Sequence, residues 1–448
     1  MSSTSGYAPA SRTMEWTAIP SGLYLYPGML RFMMIAMSFL NNVDIARADR
    51  TTSEGVTPQA ILKAALILFA AVLGAWGWWK SPDVRRLLWS FPGLMFCLLG
   101  MWYAISAPTS IVFNVSFMAT VLYWGTIPFI LSGIRYVGGT RWMLDICIGQ
   151  FLFLIFSVGL YFFDPSMAIV TEVLGPNYQV QRFGGLGHPN VVGRIAVFLG
   201  LLLFAGAVQR SISWFWLLIC LPLIVGVAWA SLSRTPVIAA AIAILIVLLP
   251  TLRIPHILYL CGYGAAALLA GVVIVEATFG WEPILEDVVL SRTKTGSMEE
   301  LTTMTGRTEI WRFAWEKVLL SPIVGYGAGS TPVLMASHSG HAHNILLQPM
   351  VSIGIPGGLL FAVILMWNVY SALKYNIPLL QMCTVFILTL GIAETPLFNP
   401  LPESVTLMWF VISFWPIGQQ FDAPIAATFR RLEEENAISP ATLQEIEA

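Results

Sequence analysis

The chain of 448 residues is 57% hydrophobic and 10% charged, with a mean hydropathy of +0.76. A soluble domain carries about 25% charged residues, so the composition excludes a soluble enzyme with an anchor and points to an all-α polytopic membrane protein. Long continuous apolar runs exclude a β-barrel, whose strands alternate apolar and polar residues, and a net charge of −1 suggests no polyanion-binding surface, so no nucleic acid is expected as a partner.

Residues 1–19 lack the basic-then-apolar layout of a cleaved signal peptide and read as a cytoplasmic tail. A membrane span needs roughly 20 apolar residues. Twelve candidates follow, at about 20–40, 61–79, 87–106, 111–134, 142–163, 190–208, 213–231, 235–250, 255–278, 344–370, 377–393 and 402–418. About nine of them make a transmembrane region over 20–278, and about three make a second over 344–418. Residues 279–343 form a large loop between them, and 419–448 a second cytoplasmic tail. The five cysteines all lie in apolar runs without a CxxC pair, as ordinary core or lipid-facing thiols do.

Orientation follows from the basic residues of the short loops. With the N-terminus inside, the cytoplasmic turns carry Lys80, Arg85 and Arg86, then Arg135 and Arg141, Arg210, Arg253, Lys374, and finally Arg430 and Arg431. The opposite turns at 106–110 and 394–403 carry no basic residue, and the latter has Glu394 and Glu403. This alternation predicts both termini in the cytoplasm of a bacterial inner membrane. It places the long segments 164–189 and 279–343 on the outer, periplasmic side.

That outer side holds a cationic set, Arg182, His188, Arg194, Arg234, Arg292, Arg307 and Arg312, which breaks the positive-inside bias. Arginine near a bilayer is costly and usually pairs or lines a polar cavity, and its planar guanidinium suits diphosphate better than lysine does. A phosphate-bearing lipid ligand is therefore expected. Arg234, in ASLSRTPV, reads as a phosphate clamp rather than as an arginine snorkelling from a helix end. Arg307 opens TGRTEIWRFAWEKVLL, a predicted helix with Thr305 or Thr308 as cap and Trp311, Trp315 and Val318 along one face. On that helix Arg312 and Lys317 read as a solvated face, with Arg312 kept as a candidate substrate contact. The SPIVGYGAGS loop that follows is glycine-rich enough for close approach to sugar or phosphate.

Three of the five histidines, His338, His341 and His343, stand at the start of an apolar span. Their spacing does not match the usual zinc motifs and no cysteine completes a set, so no metal is expected. A plain interfacial role and a role at an acceptor hydroxyl both remain open; in the latter His343 acts as general base or orients the hydroxyl. The outer carboxylates Asp164, Glu172 and Glu276 read as solvated acids, and none has the context of a catalytic base.

Four pieces then resemble a known family. They are His343-Asn344 followed by nine residues and Gly354-Ile355-Pro356-Gly357, GRTEIW with SPIVGYGAG around Arg307, SLSRTP around Arg234, and RFGGLGHPNVVGR from Arg182 to Arg194. In this order, over roughly residues 180–370, they resemble the O-antigen ligase and O-antigen polymerase superfamily, which includes exopolysaccharide polymerases. The resemblance implies a GT-C-like membrane glycosyltransferase that takes a glycan from undecaprenyl diphosphate, with no cofactor and no obligatory metal. By position it implies Arg234 and Arg307 on the diphosphate and His343 at the acceptor hydroxyl, with Arg182, Arg194, Arg312, His338 and Asn344 as substrate-binding candidates. The acceptor is another lipid-linked glycan for a polymerase and lipid A-core for a ligase. The GRTEIW and SPIVGYG stretches lean toward polymerase. A transporter of polysaccharide lipid is the competing class, but transporters place charge at the membrane midplane, whereas here charge gathers around the long outer loops.

Overall fold

The structure, a computed structural model, describes residues 25–44, 58–175, 178–248, 307–398 and 401–419. In hydrocarbon every backbone N–H and C=O must be satisfied within the chain, so apolar runs fold as helices. Helix accordingly dominates the described residues. The membrane bundle consists of α1 (Leu25–Leu40), α2 (Pro58–Lys80), the short α3 (Pro82–Leu88), α4 (Phe91–Ser106), α5 (Phe113–Tyr136), α6 (Gly139–Phe163), α7 (Pro189–Val208), α8 (Trp214–Ala230) and α9 (Arg234–Leu248). After these come α10 (Arg307–Leu320), α11 (Leu347–Tyr375), α12 (Pro378–Gly391) and α13 at 404–419.

A helix stands at each expected span except the one at 255–278, which lies outside the described residues along with Arg253, Glu276, Arg292 and both predicted tails. Among the described residues, six helices are long and apolar enough to cross a membrane: α2, α4 with its extension to Thr109, α5, α6, α7 and α11. Helices α1, α8, α9 and α12 are apolar but shorter. The segment 164–189 contains something the hydropathy pattern does not announce, an antiparallel hairpin of β1 (Ile169–Gly175) and β2 (Tyr178–Phe183), with Val170 opposite Arg182.

The helix ends sort onto two faces. Lys80, Arg85, Arg86, Arg135, Arg141, Arg210 and Lys374 stand at ends that share one face. There Ser81 caps α3 by accepting from the Val84 N–H, and Arg135 Nε pairs with Asp83 Oδ2 at 2.9 Å. On the opposite face the loops are stitched together by hydrogen bonds. Asn41 Nδ2 donates to Pro402 O (2.8 Å), Asp44 N to Leu186 O (2.6 Å), Arg182 Nε to Ser231 O (2.9 Å) and Ile345 N to Gly391 O (2.7 Å). Every candidate site residue belongs to this second face.

One ion pair inside the bundle escapes a hydropathy reading. Arg31 of α1 forks onto Asp145 of α6, with Nη2–Oδ1 at 2.9 Å, and Asp145 is fully buried. A charge at this depth is tolerable because its partner and hydrogen bonds come with it.

The glycine-rich loop has a different use from the one expected. Helix α11 is broken at Ile353 and Gly354, where Gly354 has φ +76°. The loop after α10 plugs the break: Tyr326 N donates to Val351 O (3.1 Å), Gly327 N to Ser352 O (2.7 Å), and Ile355 N to Pro322 O (2.7 Å). Trp102 Nε1 of α4 donates to Ile353 O at 2.7 Å. The close approach that the glycines permit is therefore to backbone, at Gly354 and at Gly325, whose φ is +67°. A Cβ on Gly354 would lie 2.1 Å from Ile323 O. Gly354→Ala is expected to cost at least about 3 kcal/mol from strain and clash together, and to deplete the monodisperse peak in fluorescence-detected gel filtration. An unchanged peak and melting temperature would show that the loop does not hold the break.

Candidate functional site

Helix α10 carries Arg307 at its first position. Its buried face is Ile310, Ala314 and Val318, which pack with Met335, Ala342 and Val351 into a small core separate from that of the bundle. Of the expected apolar stripe of an interfacial amphipathic helix, Val318 is buried, Trp311 half-buried and Trp315 45% exposed. Trp311 Nε1 donates to the His343 carbonyl at 3.3 Å, and this bond ties the Arg307 helix to the histidine loop.

His343 is half-buried, with φ +49°. Its ring faces that of His341 at 3.9 Å between centroids. Asn344 acts locally. Its Oδ1 accepts the N–H groups of Leu346 and Leu347, both at 3.0 Å, and so caps the start of α11. Its Nδ2 donates to Ile392 O at 3.3 Å. With the Ile345–Gly391 bond, this pins the histidine loop to the end of α12, immediately before Glu394.

Glu394 and Glu403 are residues that sequence reasoning marks only as an acidic outer turn. Arg194 Nη1 meets Glu394 Oε2 at 3.0 Å, and Nη2 meets Glu403, with the Arg194 side chain 7% exposed. Arg307 lies within electrostatic reach of the same Glu394. Burial pushes the Arg307 pKa down, opposed by Glu394. Burial pushes the Glu394 carboxyl up, opposed first by Arg194 and then by Arg307. The signal available in the sequence was the pairing of Arg194 with two glutamates in a turn free of basic residues.

Arg234 begins α9, just after the turn at Ser231 to Ser233 in which Leu232 has φ +52°. That turn is braced from two sides. Gly193 of α7 leaves room for Ser231 and Ser233, since a Cβ there would lie 2.3 Å from Ser231 Oγ. Arg182, 1% exposed, reaches Ser231 O through Nε, Glu172 Oε1 through Nη1 (2.6 Å) and Asn190 Oδ1 through Nη2 (2.6 Å). Arg234 itself is exposed, with no hydrogen bond or ion pair among the described residues. Helix α9 packs along α12, so Arg234 and the Gly391–Glu394 corner share one end of that pair.

The other candidates stand apart from this group. Arg312 is 82% exposed beside Glu316 at 3.8 Å. His338 is exposed, stacked on Phe313 at 4.1 Å, with Nδ1 2.8 Å from Ser337 Oγ. What the structure ties together is Arg194 with Glu394 and Glu403, Arg307 within electrostatic reach of Glu394, and the His341–His343 loop pinned to the adjoining Gly391, with Arg234 exposed at the head of α9. Such a site attracts a multiply charged anion and has an imidazole at hand for a hydroxyl proton.

Residues 218–362 match the family model described as O-antigen ligase. No curated protein matches the chain. The matched stretch runs through Arg234, Arg307, His343 and the broken helix at Gly354. Over that stretch, about a third of the chain, this membrane protein is similar to the O-antigen ligase family.

Proposed function

We propose that this protein transfers a glycan from undecaprenyl diphosphate to an acceptor hydroxyl on the periplasmic face of the bacterial inner membrane. The observation that supports the reading is that the Trp311–His343 carbonyl hydrogen bond ties the helix headed by Arg307 to the histidine loop, while Arg234 is exposed at the head of α9, which packs along α12. Arg307 and Arg234 hold the diphosphate. The acceptor oxygen attacks the anomeric carbon from the opposite side, so the configuration inverts. The bond from that carbon to the phosphate oxygen breaks, and the diphosphate leaves with the electron pair. Its developing charge is met by the guanidiniums. The acceptor hydroxyl proton passes to His343, directly or by way of solvent. The chemistry runs on the chain's own cations and calls for no metal.

The family description favours a ligase, with lipid A-core as acceptor. The GRTEIW and SPIVGYG stretches favour a polymerase, whose acceptor is a second lipid-linked unit. The two share donor and site, so the experiment is genetic. The gene is deleted, and lipopolysaccharide and secreted polysaccharide are analysed, then re-analysed with wild type or His343→Ala restored. Lipopolysaccharide stripped of polymer while full-length lipid-linked chains accumulate identifies a ligase. Loss of polymer with single units remaining identifies a polymerase. No change in either glycan overturns the transferase reading. In vitro, His343→Ala is expected to lower transfer by about 10²–10⁴. A loss smaller than about tenfold means that the imidazole positions the hydroxyl without taking its proton.

A further inference from the structure

The site proposed for a diphosphate contains two carboxylates. Arg194 is held by Glu394 at 3.0 Å and by Glu403, and Arg307 lies within electrostatic reach of the same Glu394. Two guanidiniums thus stand against two carboxylates, and only the exposed Arg234 adds unbalanced charge among the described residues. A clamp built for tight binding alone would omit the acids, since a carboxylate near a diphosphate repels it, and more strongly where water is excluded. Glu394 is not a chance neighbour either. Its backbone N–H is held by Leu390 O at 2.9 Å, and the preceding Gly391 and Ile392 accept from Ile345 and Asn344 of the histidine loop.

Donor and product carry the same diphosphate, so a clamp that holds one tightly also holds the other. Binding that is uniform along the reaction slows release without speeding chemistry, and product release limits many enzymes. Resting on the transferase reading, we propose that Glu394 sets the strength of the diphosphate clamp. Bonded to Arg194 and within electrostatic reach of Arg307, it holds down the affinity for spent polyprenyl diphosphate, so that the product leaves and the site turns over.

The test uses the full-length protein in lipid nanodiscs, with undecaprenyl diphosphate as the probe. Glu394→Gln keeps a hydrogen-bond acceptor for Arg194 but removes the charge. It is expected to bind the probe about tenfold more tightly and to turn over more slowly, with the first turnover preserved. A residue that merely supports the structure would give the opposite sign, weaker binding. In Arg307→Lys the change from Glu394→Gln should shrink, because the partner it acts through is altered. Glu403→Gln frees Arg194 but leaves Arg307 its carboxylate, so it should tighten binding by less. If Glu394→Gln does not fold, Glu403→Gln alone must still tighten binding. Unchanged or weaker binding in the folded variants overturns the proposal while the transferase reading stands. Equal binding by wild type and Arg307→Ala overturns that reading and the proposal with it.

Discussion

Replacing Arg307 by alanine is expected to reduce glycan transfer by about 10²–10³, the loss found when one preorganised group that meets developing charge is removed. The protein should still reach the membrane in normal amount. The α10 helix is anchored by Ile310, Ala314 and Val318 and by the Trp311 bond, none of which involves the guanidinium. Its substitution also removes a desolvated charge, which lessens any structural cost. Arg234→Ala should act in the same direction, with smaller folding consequences still because its side chain is exposed. The measurement is polymer length and amount in a deletion strain carrying each variant, beside its abundance in membranes. Normal polymer from cells with either variant would end the diphosphate-clamp idea, whatever the variant does in vitro. Arg307→Lys keeps the charge but loses the planar fork, so it should fall between wild type and alanine.

Arg194→Ala is expected to fail for a different reason, loss of the folded protein. Truncation takes from Glu394, which is 7% exposed, and from Glu403 the guanidinium that hydrogen-bonds both. Breaking a buried pair from one side typically costs about 3–5 kcal/mol, a large share of a marginal stability. The check is the melting temperature in detergent together with the amount in membranes. A combined Arg194→Met, Glu394→Gln, Glu403→Gln variant should be less destabilised than Arg194→Ala, because no charge is left unpaired. If Arg194→Ala instead melts like wild type and loses only affinity for undecaprenyl diphosphate, Arg194 is a ligand contact, as its place in the outer cationic set suggests.

Arg182 follows the same physics as Arg194. The sequence points both toward a lipid phosphate, because arginine at the outer end of a span is costly without a partner. Both have partners, but internal ones: Glu172, Asn190 and the Ser231 carbonyl for Arg182, Glu394 and Glu403 for Arg194. Glu172 and Asn190 lie 10 and 8 residues from Arg182, across the hairpin and at the head of α7, whereas the Ser231 carbonyl and the two glutamates come from turns 49 to 209 residues away that no local pattern announces. Asn344 is comparable. The His-Asn pair is legible as a motif, while its second residue proves to be a helix cap that also clips two loops together.

The sequence by itself determined that this is a helical membrane protein, where most of its helices lie, and which ends share a face. Hydropathy and basic-residue bias act locally, one segment at a time, because each span must satisfy its own backbone in hydrocarbon. It also singled out Arg234, Arg307 and His343, because cations and imidazoles are conspicuous against so apolar a chain. Only the tertiary structure decided how those residues relate. It split the cationic set into buried braces and accessible groups, and turned the glycine-rich loop into the plug of a broken helix. It also brought Glu394 onto Arg194 and within electrostatic reach of Arg307. Each of these depends on contacts between segments separated by tens to hundreds of residues, where the cost of burying a charge is settled by whichever partner the fold delivers.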